Sequence, residues 1–125
     1  MVQKLLLLAL AGALGTLARY GLSGLVQRFM GAQFPWGTFA VNMAGCFLFG
    51  LIWAMAMERM EISAAARLLL LTGFMGAFTT FSTYAFETVQ MTRDAEWLLA
   101  FANVAGQTIV GFGLMFLGQA LGRLA

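Results

Sequence analysis

Four apolar segments leave this chain almost no architectural choice. They cover residues 5–26, 35–57, 64–91 and 97–121, and each meets the roughly 20 helical residues that a hydrocarbon core requires. Charged residues gather between them: Arg28; then Glu58, Arg59, Glu61 and Arg67; then Arg93, Asp94 and Glu96, with Lys4 and Arg123 near the ends. In lipid every backbone polar group must be paired within protein, so segments of this kind cross as helices. The sequence therefore predicts an all-α integral membrane protein, one four-helix domain over residues 1–125, with loops too short for a second. A soluble domain is excluded by composition: 62% hydrophobic against 10% charged residues, with mean hydropathy +0.88, leaves too little polar surface to coat one.

Lys4 followed by LLLLALA has the outline of a cleaved leader. The apolar run continues to Leu25, however, interrupted only by Arg19, and a retained first span accounts for more of the sequence. Cys46 is the lone cysteine, so it reads as a small packing residue rather than half of an intrachain disulfide. The absence of histidine removes the commonest metal ligand and proton relay. No nucleophile, base and orienting acid can be assembled without it, so enzyme chemistry is not expected. A net charge of +2 with no basic stripe argues against a nucleic-acid partner. With four spans both termini share a side with the 58–67 loop. That side carries Lys4, Arg59, Arg67 and Arg123, and the other carries Arg28 and Arg93. The positive-inside rule favours cytoplasmic termini so weakly that one sequence could insert both ways.

Polar residues inside the spans carry the functional signal. The second span opens with Pro35, suited to a helix start because its missing amide proton is one the helix would leave unpaired. Behind it Thr38 and Asn42 share a face, and Cys46, Gly50 and Ala54 form a small-residue seam that permits close helix contact. In the fourth span Asn103 and Gln107 stand four apart, with Gly111 continuing the face and Thr108 beside it. Carboxamides at this depth either lock helices together or line a polar path. Arg19 lies two thirds of the way along the first span, as an interfacial anchor or as a fixed charge that draws an anion into a vestibule.

The third span contains GFMGAFTTFSTYAFE, residues 73–87. Gly73 and Gly76, followed by Thr79, Thr80, Ser82 and Thr83, weaken a helix through backbone freedom and side-chain competition for backbone bonds. A break is expected, and in lipid a broken helix persists only where protein buries it or where it serves an ion or a watery cavity. Phe78, Phe81 and Tyr84 recur every third residue. They are either a packing stripe or a set of electropositive ring edges turned toward an anion.

That stretch, with PWGTFAVNMAGCFLFG in the second span and GALGTLARY in the first, resembles the Fluc family of small bacterial fluoride channels over essentially the whole chain. The resemblance implies an antiparallel, dual-topology homodimer in the bacterial cytoplasmic (inner) membrane, with two fluoride pores that export fluoride passively and confer resistance to it. It also implies a sodium ion held structurally at the dimer centre by the backbone carbonyls of Gly76 and Thr79, which would account for the break. By the same resemblance Asn42 lines the pore, and Phe81 and Tyr84 occupy its two aromatic positions. Arg19 matches the family's first-span arginine, and Glu87 its third-span glutamate, a candidate for gating. Thr38, Thr80, Ser82, Gln107 and Thr108, with the ring of Phe78, complete the candidate pore set. Two departures stand out: Tyr84 replaces the usual phenylalanine, and Gly111 and Met115 stand where related channels carry hydroxyls, with Gln107 and Thr108 as candidate substitutes. The rival classes are a proton-coupled small multidrug transporter, which needs a mid-membrane carboxylate where this first span offers Arg19, and a structural subunit of a larger membrane complex.

Overall fold

The computed structural model describes residues 1–58 and 62–124; Arg59 and Glu61, two of the charges counted above, lie outside the described residues. The first helix is Val2–Met30, the second Trp36–Met57, the third span Ala64–Arg93 and the fourth helix Trp97–Leu124. All four are long and apolar enough to cross a membrane. The first and fourth outrun their apolar segments because Lys4, Arg28 and Arg123 can extend their charged ends to the interface while their stems stay on the helix.

Pro35 stands just outside the second helix, at φ −77°. The hydrogen bonding that starts the helix comes instead from the first one. Gln27 Oε1 accepts the Gly37 amide at 2.9 Å, and Gln27 Nε2 donates to the Phe34 carbonyl at 2.9 Å. One side chain thus satisfies an orphan amide of the second helix and fixes the loop before it.

Close helix contact follows the glycines, as expected where van der Waals packing rather than hydrophobic exclusion holds helices together. The second and fourth helices meet along Gly50, Gly118 and Gly122. A Cβ at Gly122 would lie 2.6 Å from the Leu51 carbonyl oxygen, and one at Gly118 would overlap the Phe47 carbonyl. The first helix packs on the third span in the same way, with Gly15 against the Phe74 carbonyl. A Cβ at Gly73 would come within 2.8 Å of the Ala11 Cβ. Gly73, expected from sequence to loosen the helix, is thus a contact residue. The core between these elements is Val41, Leu71, Met75 and Phe78.

The third span changes geometry along its length. It begins at Ser63, whose side chain accepts the Ala66 amide, and runs as α-helix over Ala64–Arg67. It widens to a π-helix over Leu68–Met75 and closes with one α-turn, Gly76–Phe78. Thr79 (φ −89°, ψ 158°) and Thr80 (φ −148°, ψ 113°) are extended, and a second α-helix covers Phe81–Arg93. The break therefore falls at the two threonines. Thr80 caps the distal half, its Oγ1 accepting the Thr83 amide at 3.2 Å.

Candidate functional site

An interrupted helix frees backbone groups that lipid cannot satisfy, and here the second helix supplies their partner. The Thr80 amide donates to Asn42 Oδ1 at 2.8 Å, and Asn42 Nδ2 donates back to the Thr80 carbonyl at 3.1 Å. One carboxamide pairs with the extended residue as a neighbouring β-strand would. Asn42 Nδ2 also donates to Gln107 Oε1 of the fourth helix at 3.2 Å. Three spans are joined at this point.

Beside the junction lies a groove of about 340 Å³ whose wall includes Asn42, Thr79, Thr80, Phe81, Tyr84, Gln107 and Thr108. Met43, Cys46, Phe49 and Met115 lie on its apolar side. Phe81 and Tyr84 meet edge to face, with centroids 5.4 Å apart and planes at 60°. Phe81 is 79% exposed, so its own chain leaves most of the ring uncovered. Phe78 does not line this groove; it is buried in the core and stacked on Phe74 at 5.8 Å.

Thr80 also borders a second groove, of about 480 Å³, lined by Arg19, Thr38 and Thr83. The Thr80 hydroxyl donates to Thr83 Oγ1 at 2.9 Å and lies 3.4 Å from Ser82 Oγ, which is exposed. The sequence-predicted polar residues thus fall on both sides of one threonine: Asn42, Gln107, Thr108 and the two rings on the first side, Arg19 and Thr38 on the second. Thr38 Oγ1 donates to Glu87 Oε1 at 2.7 Å, while Glu87 Oε2 is buried and has no hydrogen-bond partner among the described residues.

The two carboxamides of the fourth helix divide their roles. Asn103 is fully buried and donates through Nδ2 to Thr88 Oγ1 at 2.9 Å, which in turn donates to the Tyr84 carbonyl at 2.8 Å. It locks the fourth helix to the distal half of the third span. Gln107 reaches the groove. Sequence reasoning did not single out Thr88 or Gln27. Their only local signal is a polar side chain on an apolar helix, and the bonds that matter here, Asn103 to Thr88 and Gln27 to Gly37 and Phe34, reach another helix or the adjoining loop.

The break also bears on a structural cation. The amides of Thr80 and Thr83 are taken by Asn42 Oδ1 and Thr80 Oγ1, so the carbonyls four residues before each, those of Gly76 and Thr79, receive no helical amide bond. Gly76 faces open space, where an added Cβ would meet only the Leu71 carbonyl at 3.7 Å. Unwound carbonyls at the end of a half-helix are the donor set that membrane proteins use for sodium, and the residues present fit that ion. Among the described residues no cluster of acidic, cysteine or histidine side chains offers an alternative metal site.

Four apolar helices, one of them interrupted where carboxamides, hydroxyls and aromatic rings line a groove, define a multi-span membrane protein of the small ion-pathway class. The chain belongs to the CrcB-like family: residues 6–119 match the family described as CrcB-like protein, Camphor Resistance (CrcB). A protein of Nitrosococcus oceani named Fluoride-specific ion channel FluC is 59% identical over 124 residues, 99% of each chain. Proteins of the same name from Solidesulfovibrio magneticus, 58% identical over 99% of each chain, and Dehalococcoides mccartyi, 38% identical over 97% of this chain and 93% of that one, are also similar.

Proposed function

We propose that this chain is a fluoride-selective channel of the bacterial cytoplasmic membrane, exporting fluoride passively rather than catalysing a reaction. The observation that carries this reading is identity of 59% along the full length of a protein named as such a channel; the groove at the broken helix supports it. Hydrogen fluoride crosses bilayers as a neutral weak acid and dissociates inside, trapping the anion. A pore lets fluoride leave down an inside-negative potential worth about 2.3 kcal/mol per charge per 100 mV.

A small, strongly hydrated anion gives up water only where donors replace it. The groove offers the Gln107 carboxamide, the Thr108 hydroxyl and the edges of Phe81 and Tyr84. Arg19 lines the adjoining groove and raises the potential there. Glu87 accepts from Thr38, which lines the Arg19 groove, and this contact makes the glutamate a candidate gate. The functional unit is an antiparallel homodimer with a sodium ion at its centre. Gly76 and Thr79 hold that ion through their carbonyls, and it supplies buried positive charge between two broken helices.

Purified protein reconstituted alone into liposomes is expected to release fluoride while chloride stays at the protein-free background. A structural subunit would release neither. A proton-coupled exporter would move an organic cation against a proton gradient and leave fluoride in place.

Tyr84 separates two sources of anion affinity. The hydrogen bond at this residue is accepted by its backbone carbonyl, and among the described residues none reaches the hydroxyl. The hydroxyl is thus free to donate, but the channels this chain resembles carry phenylalanine here, and we assign the anion contact to the ring edge. Tyr84→Phe is expected to keep fluoride efflux within about threefold of the parent, roughly 0.65 kcal/mol of barrier, whereas Tyr84→Ile and Phe81→Ile should lose most of it. A change above about tenfold in Tyr84→Phe would assign the role to the hydroxyl, whose bond to an anion is worth about 1.5–3 kcal/mol.

A further inference from the structure

We infer that a groove at the end of the molecule bearing the 58–67 loop seats an anionic phospholipid, its phosphate held by Lys4 and Arg67 and an acyl chain laid along Trp53 and Phe49.

The groove encloses about 480 Å³ between the first helix, the second helix and the start of the third span. Its place follows from how those elements pack. The first helix and the third span run side by side in one direction, Gly73 against Leu8 and Ala11, and Gly15 against Phe74 and Ala77. Lys4, one turn before Leu8, and Arg67, six residues before Gly73, therefore stand at the same end. The second helix returns to that end and finishes at Met57. Trp53 is one turn before the finish and Phe49 two, so Phe49 lies up to roughly 12 Å deeper in the hydrocarbon at a rise of about 1.5 Å per residue.

The chemistry of the lining changes along that depth. At the outer end it carries two cations, Lys4 and Arg67, and among the described residues no acid. Glu58, which ends the second helix here, is taken by Arg123 at 2.8 Å. Among the described residues Arg67 Nη1 reaches only the Met57 sulfur, a weak acceptor that leaves the charge to be met from outside. Trp53 comes next, 41% exposed, an indole at the level where headgroups give way to hydrocarbon. Phe49 and Leu71 close the inner end. Phosphate, glycerol and acyl chain follow one another in that order in a phospholipid. An inorganic anion would use only the outer end, and a zwitterionic lipid brings a phosphate already countered by its own amine. Basic pockets between helices at a membrane surface are where anionic headgroups bind.

The test reads Trp53 by contact quenching from a brominated acyl chain. Trp36→Phe with Trp97→Phe leaves Trp53 as the one indole of the chain's three. That protein is placed in vesicles of about four parts phosphatidylcholine to one of phosphatidylglycerol. Bromine is carried either by the phosphatidylglycerol or by an equal amount of the phosphatidylcholine. Composition and surface charge are then the same in both samples, and only the identity of the lipid touching Trp53 differs. Brominated phosphatidylglycerol is expected to quench at least twofold more. Lys4→Gln with Arg67→Gln should bring the ratio to about one, whereas Arg28→Gln with Arg93→Gln, at the opposite end, should leave it unchanged. If the Lys4 and Arg67 double variant does not fold, Lys4→Gln alone decides the matter and should cut the excess by at least half. Equal quenching by the two lipids before the basic pair is changed overturns the inference, because ordinary boundary lipid gives that result. A preference that survives loss of the basic pair overturns it too, as does one carried instead by Arg28 and Arg93. Quenching by neither lipid would mean that a protein surface, such as a second copy of this chain, covers the groove, and likewise overturns it. No ion flux is read, so the outcome stands apart from the channel reading.

Discussion

Asn42→Ala is expected to abolish fluoride efflux and to weaken the folded protein by about 2–6 kcal/mol. The figure follows from two backbone groups left without partners, at about 1–3 kcal/mol each. Both belong to Thr80, whose amide and carbonyl are paired with the Asn42 carboxamide, and at this depth little water can replace it. Function suffers separately from stability. Without Asn42 the Gln107 carboxamide loses its bonded neighbour on the second helix, and the extended residues beside Phe81 and Tyr84 keep only their local bonds within the third span. Efflux per folded protein and denaturant unfolding in detergent measure the two effects. A variant as stable as the parent would show that the break is supported by other contacts.

The same junction shows what the sequence could and could not reveal. The four spans were legible because lipid permits little else, and their ends shifted only where charged side chains reach the interface. The break was legible as a composition of glycines and hydroxyls, but not in its position. Gly73 serves contact with Ala11, and the site of unwinding is decided by a Thr80 cap and by Asn42, which is 38 residues away in sequence. No local pattern encodes such a pairing. The π-helical stretch before it carried no recognisable signal either.

The aromatic stripe fails for a related reason. Phe78, Phe81 and Tyr84 share a face only if the helix is continuous through them. Two extended residues between Phe78 and Phe81 reset the period, sending the first ring into the core and the other two to the groove. The carboxamides of the fourth helix were legible as a pair with two possible uses, helix locking or a polar lining, and both bond across helices while Gln107 also stands on the groove wall. Which of them lines the groove depends on the helix opposite, information the fourth span does not contain.

Orientation in the membrane should matter as much as Asn42. The carbonyls of Gly76 and Thr79 lack helical partners, Gly76 is open and Phe81 is 79% exposed. A face that leaves carbonyls unpaired against lipid is costly unless something covers it. The break lies near the middle of the 30-residue third span, so in the dimer we propose, two copies related by an axis in the membrane plane would bring their breaks to one depth, around the proposed sodium ion. Such a dimer needs copies inserted both ways, as the sequence's weak charge bias allows. Several lysines added at the N-terminus should therefore hold every copy with cytoplasmic termini and abolish fluoride efflux. Several lysines in the 31–34 loop should hold every copy the other way, with the same loss. Expressing the two variants together should restore efflux, because each supplies the orientation the other lacks. Full efflux from either variant alone, with tagged termini on one side only, would mean that the two chains of a working channel need not be antiparallel.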